Sequence, residues 1–300
     1  MEHSVLSITS ESKDLIRIPS KMKRAILCTF AVLLFFSATA QTTDSVKFVT
    51  APRVELKLPK GAEGYTIVKA NILDSYQTVS VIRYSRKHFK TAIILPEKLT
   101  RLSAIAESTN ADFGVNAGYW DVSKGVPSTF LQLNGEQLAV TADAEKGRVD
   151  GLLCVGKRRI VIDQCKADEE SAYAEKFDDI LASGPMLIDE GEAIDHSQTP
   201  GSFYTQRHPR TAIGTDKRGN LYLVVVDGRS KGNADGVTIP EFTNICSWLG
   251  LRDAINLDGG GSSTMWTVDE GVINYPSDNR KFDHAGERRI SSGIVVKSKR

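Results

Sequence analysis

Asn220-Leu221-Tyr222-Leu223-Val224-Val225-Val226-Asp227-Gly228 is an apolar strand that stops on a carboxylate and a glycine. Further along, Ala254-Ile255-Asn256-Leu257-Asp258-Gly259-Gly260-Gly261-Ser262-Ser263 repeats that grammar. Apolar runs that do not alternate with polar residues read as strands buried on both faces. Between them, Pro240 to Leu249 reads as a helix, with Pro in its first turn and Gly250 at its C-cap. Working outward, Val54-Glu55-Leu56-Lys57-Leu58 alternates, Val79 to Ile82 and Thr91 to Leu95 are β-rich, and residues 41–90 read as short strands. Pro96 should open a helix to about Asn110, with Leu99, Leu102, Ile105 and Ala106 on one face, before a strand into Gly114–Trp120. The expected architecture is α+β, a mixed β-sheet core with flanking helices, in a single domain over residues 41–300.

Composition narrows the class. Apolar residues make up 41% and charged residues 25% of the chain, which excludes disordered, collagen-like and multi-span membrane proteins. Lys and Arg number 38 against 37 Asp and Glu, and no like-charge run dominates, so no nucleic-acid partner is expected. Lys21, Lys23 and Arg24, the apolar run Ala25–Phe36 and Ser37-Ala38-Thr39-Ala40 read as a signal peptide, with cleavage expected after Ala40. The apolar run is too short to span a bilayer, which takes ~20 residues. No Cys follows the cleavage site, so no stable membrane anchor is expected once the leader is gone. The chain carries no N-x-Ser/Thr sequon, and the setting read from these features is bacterial, periplasmic or secreted. In an exported chain Cys154 and Cys165, flanking a hairpin turn at Lys157-Arg158-Arg159, can oxidise to a pair; Cys246 reads as a buried thiol.

Asp227-Gly228 and Asp258-Gly259 each place a carboxylate at the mouth of a strand, where glycines let backbone amides approach a ligand. Ser262, Ser263 and Thr264 add hydroxyls. The run is not a Walker A loop, because no Lys follows its last Gly, and no GxSxG elbow supports a Ser triad. His88, His196, His208 and His284 lack metal-ligand spacing, so no metal ligands are assigned. Arg210, after Pro209 at a strand entrance, presents a guanidinium suited to a phosphate, whereas Arg207 reads as solvated. Tyr119-Trp120 reads either as core or as a platform for a sugar ring.

Seven segments together carry a resemblance: GVNAGYWD (114–121), SGPMLIDEG (183–191), PRTAIGTDKRGNLYLVVVDGR (209–229), GVTIPEF (236–242), AINLDGGGSSTM (254–265), NYPSD (274–278) and ERRISSGIVV (287–296). In their order and spacing the sequence resembles the phosphodiester glycosidase family; residues 41–90 match little. The resemblance implies a hydrolase that cleaves between a sugar anomeric carbon and a phosphodiester, on a GlcNAc-1-phosphodiester-like substrate. Its products are a free sugar and a phosphomonoester. It implies Asp258, Glu241, Arg210 and Asp227 as catalytic residues. Substrate binding falls on Asn116, Gly118, Tyr119, Gly184, Gly228, Arg229, Gly259, Gly260, Gly261, Ser262, Ser263, Asp278 and Arg288. Arg210, with Arg229 or Arg288, would hold the departing phosphate; Asp258 and Glu241 would support the charge growing on the sugar. Asp227 substitutes if Glu241 only caps its helix. This chain departs from the family at Tyr119-Trp120, where paired phenylalanines are common, and at Arg229, where animal members carry a neutral residue. No cofactor is required by this reading. A metal-dependent phosphodiesterase, with Asp227, Asp258 and Glu241 as hard-oxygen ligands of a divalent metal, is one alternative. A non-catalytic glycan-binding envelope protein is the other.

Overall fold

A computed structural model describes residues 43–299, and Asp44–Arg300 forms one compact unit. The leader assigned to residues 21–40, with its cleavage after Ala40, lies outside the described residues. The two decisive runs form strands Asn220–Val226 and Leu251–Asn256, on either side of Arg210–Asp216. These three sit centrally in an eight-stranded sheet. Ser75–Ser85, Ala62–Ile72 and Val54–Glu55 extend one side, and Met186–Asp189 and Glu192–Ala193 the other.

The unbroken apolar run in Asn220–Val226 has a direct packing cause. Leu221, Leu223 and Val225 enter one core, while Val224 and Val226 enter a second core across the sheet. Neighbouring strands split the same way: Ile213 and Ile255 face the first core, Ala212 and Ala254 the second. The helix Ile239–Trp248 covers the second core with Ile239, Phe242, Ile245 and Cys246. The first core is shared with two five-stranded sheets. One runs Glu136–Ala139, Leu131–Leu133, Asp179–Ser183, Gly151–Val155, Ile160–Gln164; the other runs Gly271–Val272, Met265–Thr267, Phe113–Asn116, Gly293–Ser298, Phe89–Ile94.

Four expectations need correction. Every strand pair among the described residues is antiparallel, so the sheets are not mixed, and β-structure outweighs the few short helices. The chain at Thr43–Thr50 is helical rather than extended, burying Phe48, and of the alternating stretch only Val54–Glu55 is strand, with the Leu56 amide adding a bond to the Gly64 carbonyl. The helix expected from Pro96 is Leu102–Thr109, because Thr100 and Arg101 pair with Ile290 and Arg289. Cys154 and Cys165 are free buried thiols: register sets Cys154 opposite Val161, while the Cys165 amide bonds Asp150, four positions along.

Candidate active site

Antiparallel pairing of Arg210 with Val226 and of Ala212 with Asn256 brings one strand's start and two strands' ends to a single edge. Asp227 and Asp258 therefore emerge at the same sheet edge, with the Arg210–Asp216 strand between them. The end of Phe113–Asn116 joins them, as Asn116 Nδ2 donates to the Asp258 carbonyl at 2.6 Å.

Asp258 is half-buried. Its Oδ1 accepts from the Gly259 amide at 2.9 Å and its Oδ2 from Trp120 Nε1 at 3.2 Å. Burial pushes its pKa up to about 6, while the Ser262 hydroxyl, the Gly259 amide and the cations Arg148 and Arg288 draw it partly back. The carboxylate thus titrates close to neutrality and keeps lone pairs that no protein donor fills.

The glycine run lies beneath arginines. A Cβ on Gly260 would meet Arg229 Nη2 at 2.9 Å, and one on Gly261 would meet Arg288 Cζ at 2.6 Å and Asp278 Oδ1 at 2.7 Å. Gly260 also holds φ +62°. Asp278 Oδ1 accepts from Arg288 Nε at 2.8 Å and Nη2 at 2.5 Å, orienting that guanidinium. Burial and then the charge of Arg288 lower the Arg229 pKa, and the carboxylates of Asp278 and Asp258 draw it partly back. Arg148 stacks over the Tyr119 ring at 4.2 Å, within electrostatic reach of Asp258. Asp258 is therefore flanked by positive charge from Arg148, Arg229 and Arg288.

A second group of expected residues lies just under the surface and builds this arrangement. Asn116, 1% exposed, accepts on Oδ1 from Thr211 Oγ1 at 2.8 Å and from the Thr264 amide at 3.1 Å. Tyr119 is buried; its hydroxyl donates to the Gly184 carbonyl at 2.6 Å and accepts from Asn256 Nδ2 at 2.8 Å. It is a core pillar, and only its neighbour Trp120 reaches the carboxylate. Close approach explains the glycines: a Cβ on Gly118 would meet Leu181 Cδ1 at 2.7 Å and one on Gly228 the Pro209 nitrogen at 2.7 Å. On Gly259 it would meet the Pro209 oxygen at 2.7 Å, and on Gly184 it would collide with the Arg148 backbone oxygen. Ser263 is fully buried and offers its carbonyl to Asn274 Nδ2, and Ser262 is buried beside Asp258.

Three of the four expected catalytic side chains are engaged in holding the chain. Glu241 sits at the N-terminus of Ile239–Trp248 in a capping box, its Oε2 accepting from the Thr238 amide at 2.8 Å while Thr238 Oγ1 accepts from the Glu241 amide. Its carboxylate also takes Arg207 Nε at 3.1 and 3.2 Å, so Arg207 is an ion-pair partner rather than a solvated cation. Glu241→Ala should cost about 1–2 kcal/mol by leaving the Thr238 amide without its acceptor and Arg207 without its anion, with kcat close to parental. Urea unfolding and a rate measured on the same preparation check both halves.

Arg210 is 2% exposed and donates to backbone carbonyls of Phe203, Gln206 and Val237. Asp227 is 1% exposed, and its Oδ1 accepts from Asn274 Nδ2 at 2.8 Å and the Tyr275 amide at 3.0 Å. Burial pushes the Asp227 pKa up to about 7. An unfolded Asp ionises near pH ~4. The unfolded chain therefore releases this proton first, and the folded state loses stability as pH rises from about 4 to about 7. Asp227→Asn keeps the Oδ1 acceptor and removes that dependence. Its Tm should fall less than the parent's across this interval, as scanning calorimetry at several pH values would read.

Sequence reasoning passed over Arg148, which lies in a loop with no motif, and left Trp120 between core and sugar platform, without its indole nitrogen's bond to the carboxylate. Asp227, Asp258 and Glu241 do not converge. Among the described residues no three His, Cys, Asp or Glu side chains are placed to hold a metal ion.

Residues 109–297 match the phosphodiester glycosidase family. The chain is 29% identical over 158 residues to N-acetylglucosamine-1-phosphodiester alpha-N-acetylglucosaminidase of Bos taurus, covering 50% of this chain and 29% of that protein. It is 31% identical over 140 residues to the Homo sapiens protein of that name, covering 44% and 26%. The chain thus spans less than a third of the length of these relatives. Its fold is similar to the catalytic domain of the zebrafish protein of the same name, solved auto-inhibited by its pro-peptide. That likeness has a TM-score of 0.63 and 18% identity over 83% of this chain and 89% of that one.

Proposed function

The chain belongs to the phosphodiester glycosidase family, and on that premise we propose that it hydrolyses the bond between a sugar anomeric carbon and a phosphodiester. The substrate would be GlcNAc-1-phosphodiester-like, and residues 41–300 form the catalytic domain of an exported bacterial enzyme, periplasmic or secreted after its leader is removed at Ala40. One observation supports the reading most directly: an incompletely bonded carboxylate, Asp258, with a pKa of about 6, lies on a glycine run flanked by the charges of Arg148, Arg229 and Arg288.

A phosphate leaving C1 departs with its electron pair and needs little protonation, unlike the alkoxide that obliges ordinary glycosidases to use a carboxylic acid. The arginines stabilise the negative charge that collects on the departing phosphomonoester. Asp258, as the anion, stabilises the positive charge on the sugar and acts at C1, directly or by taking the proton of the attacking water. Water supplies the new C1–O bond, the C1–O(phosphate) bond breaks, and the proton leaves to solvent. Trp120 and the Gly259 amide fix the carboxylate plane. Arg210, Asp227 and Glu241 act on structure under this proposal, the first two by holding the backbone around the site.

The decisive experiment incubates the protein with a GlcNAc-α-1-phosphodiester, with and without chelator, and identifies the products. Free GlcNAc plus a phosphomonoester, unchanged by chelator, is the expected result. Sugar-1-phosphate, or loss of turnover in chelator, would replace this reading by a metal-dependent phosphodiesterase.

A further inference from the structure

A groove of about 800 Å³ opens at the other end of the strands, along Phe89–Ile94 and facing the turns at Asn134 and Lys157–Arg159. Register sets its cationic end, at Phe89, away from the site, while Ile94 at its other end pairs with Gly293. Gly293 pairs with Asn116 at the site end, whereas Val296 pairs with Phe113 and Ser298 with Phe89. Gly151 pairs with Ser183 beside the site, and Val155 with Asp179 in the groove. At ~3.4 Å per residue the two ends stand on the order of 15 Å apart.

Two independent features distinguish this groove. Phe89–Ile94 is an outer strand, paired with Gly293–Ser298 on one side only. The Lys299 amide bonds the His88 carbonyl, so antiparallel alternation turns the backbone N–H and C=O of Phe89, Thr91 and Ile93 toward the open groove. Cations line it: Arg86 and Lys87, Lys90, the Lys157-Arg158-Arg159 turn and Lys299, opposed only by Asp178 and Asp179. Among the described residues none of these cations forms an ion pair within 4 Å.

We propose that this groove binds the backbone of a phosphodiester-linked glycan, holding a polymeric substrate on the enzyme while Asp258 works on a glycosyl-phosphate bond elsewhere along it. The proposal rests on the hydrolase reading above. Phosphates spaced along such a chain match separated cations, and its hydroxyls match strand-edge carbonyls. A neutral glycan would leave the cations unanswered.

A probe without a glycosyl-phosphate bond separates binding from turnover. End-labelled poly(glycerol phosphate) would be titrated with the full chain by fluorescence anisotropy at about 50 and 200 mM salt. The comparison is the triple variant Lys90→Gln, Lys157→Gln, Arg158→Gln, whose altered side chains are all exposed. The parent should bind and weaken with salt. The variant should bind at least tenfold more weakly, with a shallower salt dependence, while hydrolysing a small GlcNAc-phosphodiester at the parental rate. Equal affinity in parent and variant would overturn the proposal. So would polyglutamate binding as tightly as the phosphate polymer, which would make this a peptide-docking edge. Failure of the parent to bind either polymer would mean that the lysines only guard an open strand edge. If the parent binds but hydrolyses nothing, the hydrolase reading fails and the groove stands.

Discussion

Asp258→Asn should yield a folded protein whose turnover of a GlcNAc-1-phosphodiester is lower by at least ~10²-fold. The substitution keeps the size of the side chain and an oxygen for the Gly259 amide or the Trp120 indole, so unfolding should shift little. What disappears is the carboxylate's negative charge. The parent supplies a second readout. With its carboxyl near pKa 6, activity should rise from pH 5 to pH 7 as Asp258 loses its proton. The residual activity of the variant should lack that acidic limb. Near-parental kcat in Asp258→Asn would remove this residue from the chemistry and leave the site without a carboxylate of the right placement.

Arg210→Lys carries the second large effect, and it falls on stability. The guanidinium reaches Val237 O with Nε at 3.1 Å, and Phe203 O and Gln206 O with Nη2 at 2.6 and 3.2 Å. It also stacks on Phe203, 4.9 Å from the ring centroid. A lysine ammonium is a single point that cannot span these carbonyls, so some lose their donor in a dry interior. Burial already lowers the pKa of the arginine to about 10, and an ammonium in its place would be harder still to keep charged. A loss of about 2–4 kcal/mol is expected, or roughly 5–15 °C in Tm for a domain of this size. Activity per folded molecule should survive in part at low temperature. An unchanged Tm with a collapsed kcat would return Arg210 to the list of phosphate-binding groups.

The site was legible where sequence and backbone geometry speak the same language. Asp-Gly after an apolar run marks a strand end, and three successive glycines mark a place where side chains from other loops press on the backbone, as Arg229 and Arg288 do. Legibility failed where one residue type serves two purposes. Glu241 satisfies a helix-capping pattern and a catalytic pattern equally well in sequence, and in the structure its carboxylate takes the Thr238 amide. Arg210 sits in the most specific motif because three carbonyls need it, and a motif does not distinguish a group that holds substrate from one that holds its own chain. Arg148 reaches the site from a loop with no local signature. Strand direction was equally hidden: buried runs such as Asn220–Val226 suit parallel and antiparallel neighbours alike, and only their connections select.

Pairing of Phe89–Ile94 with Gly293–Ser298, and of Ser75–Ser85 with Asn220–Val226, has a kinetic consequence. Both sheets on which the site is built join early segments to late ones, so the contact order is high and folding is slow. As the polypeptide is synthesised, Phe89–Ile94 has no strand to pair with until Gly293–Ser298 emerges. The glycine run and its arginines can take shape only after the whole sequence is available.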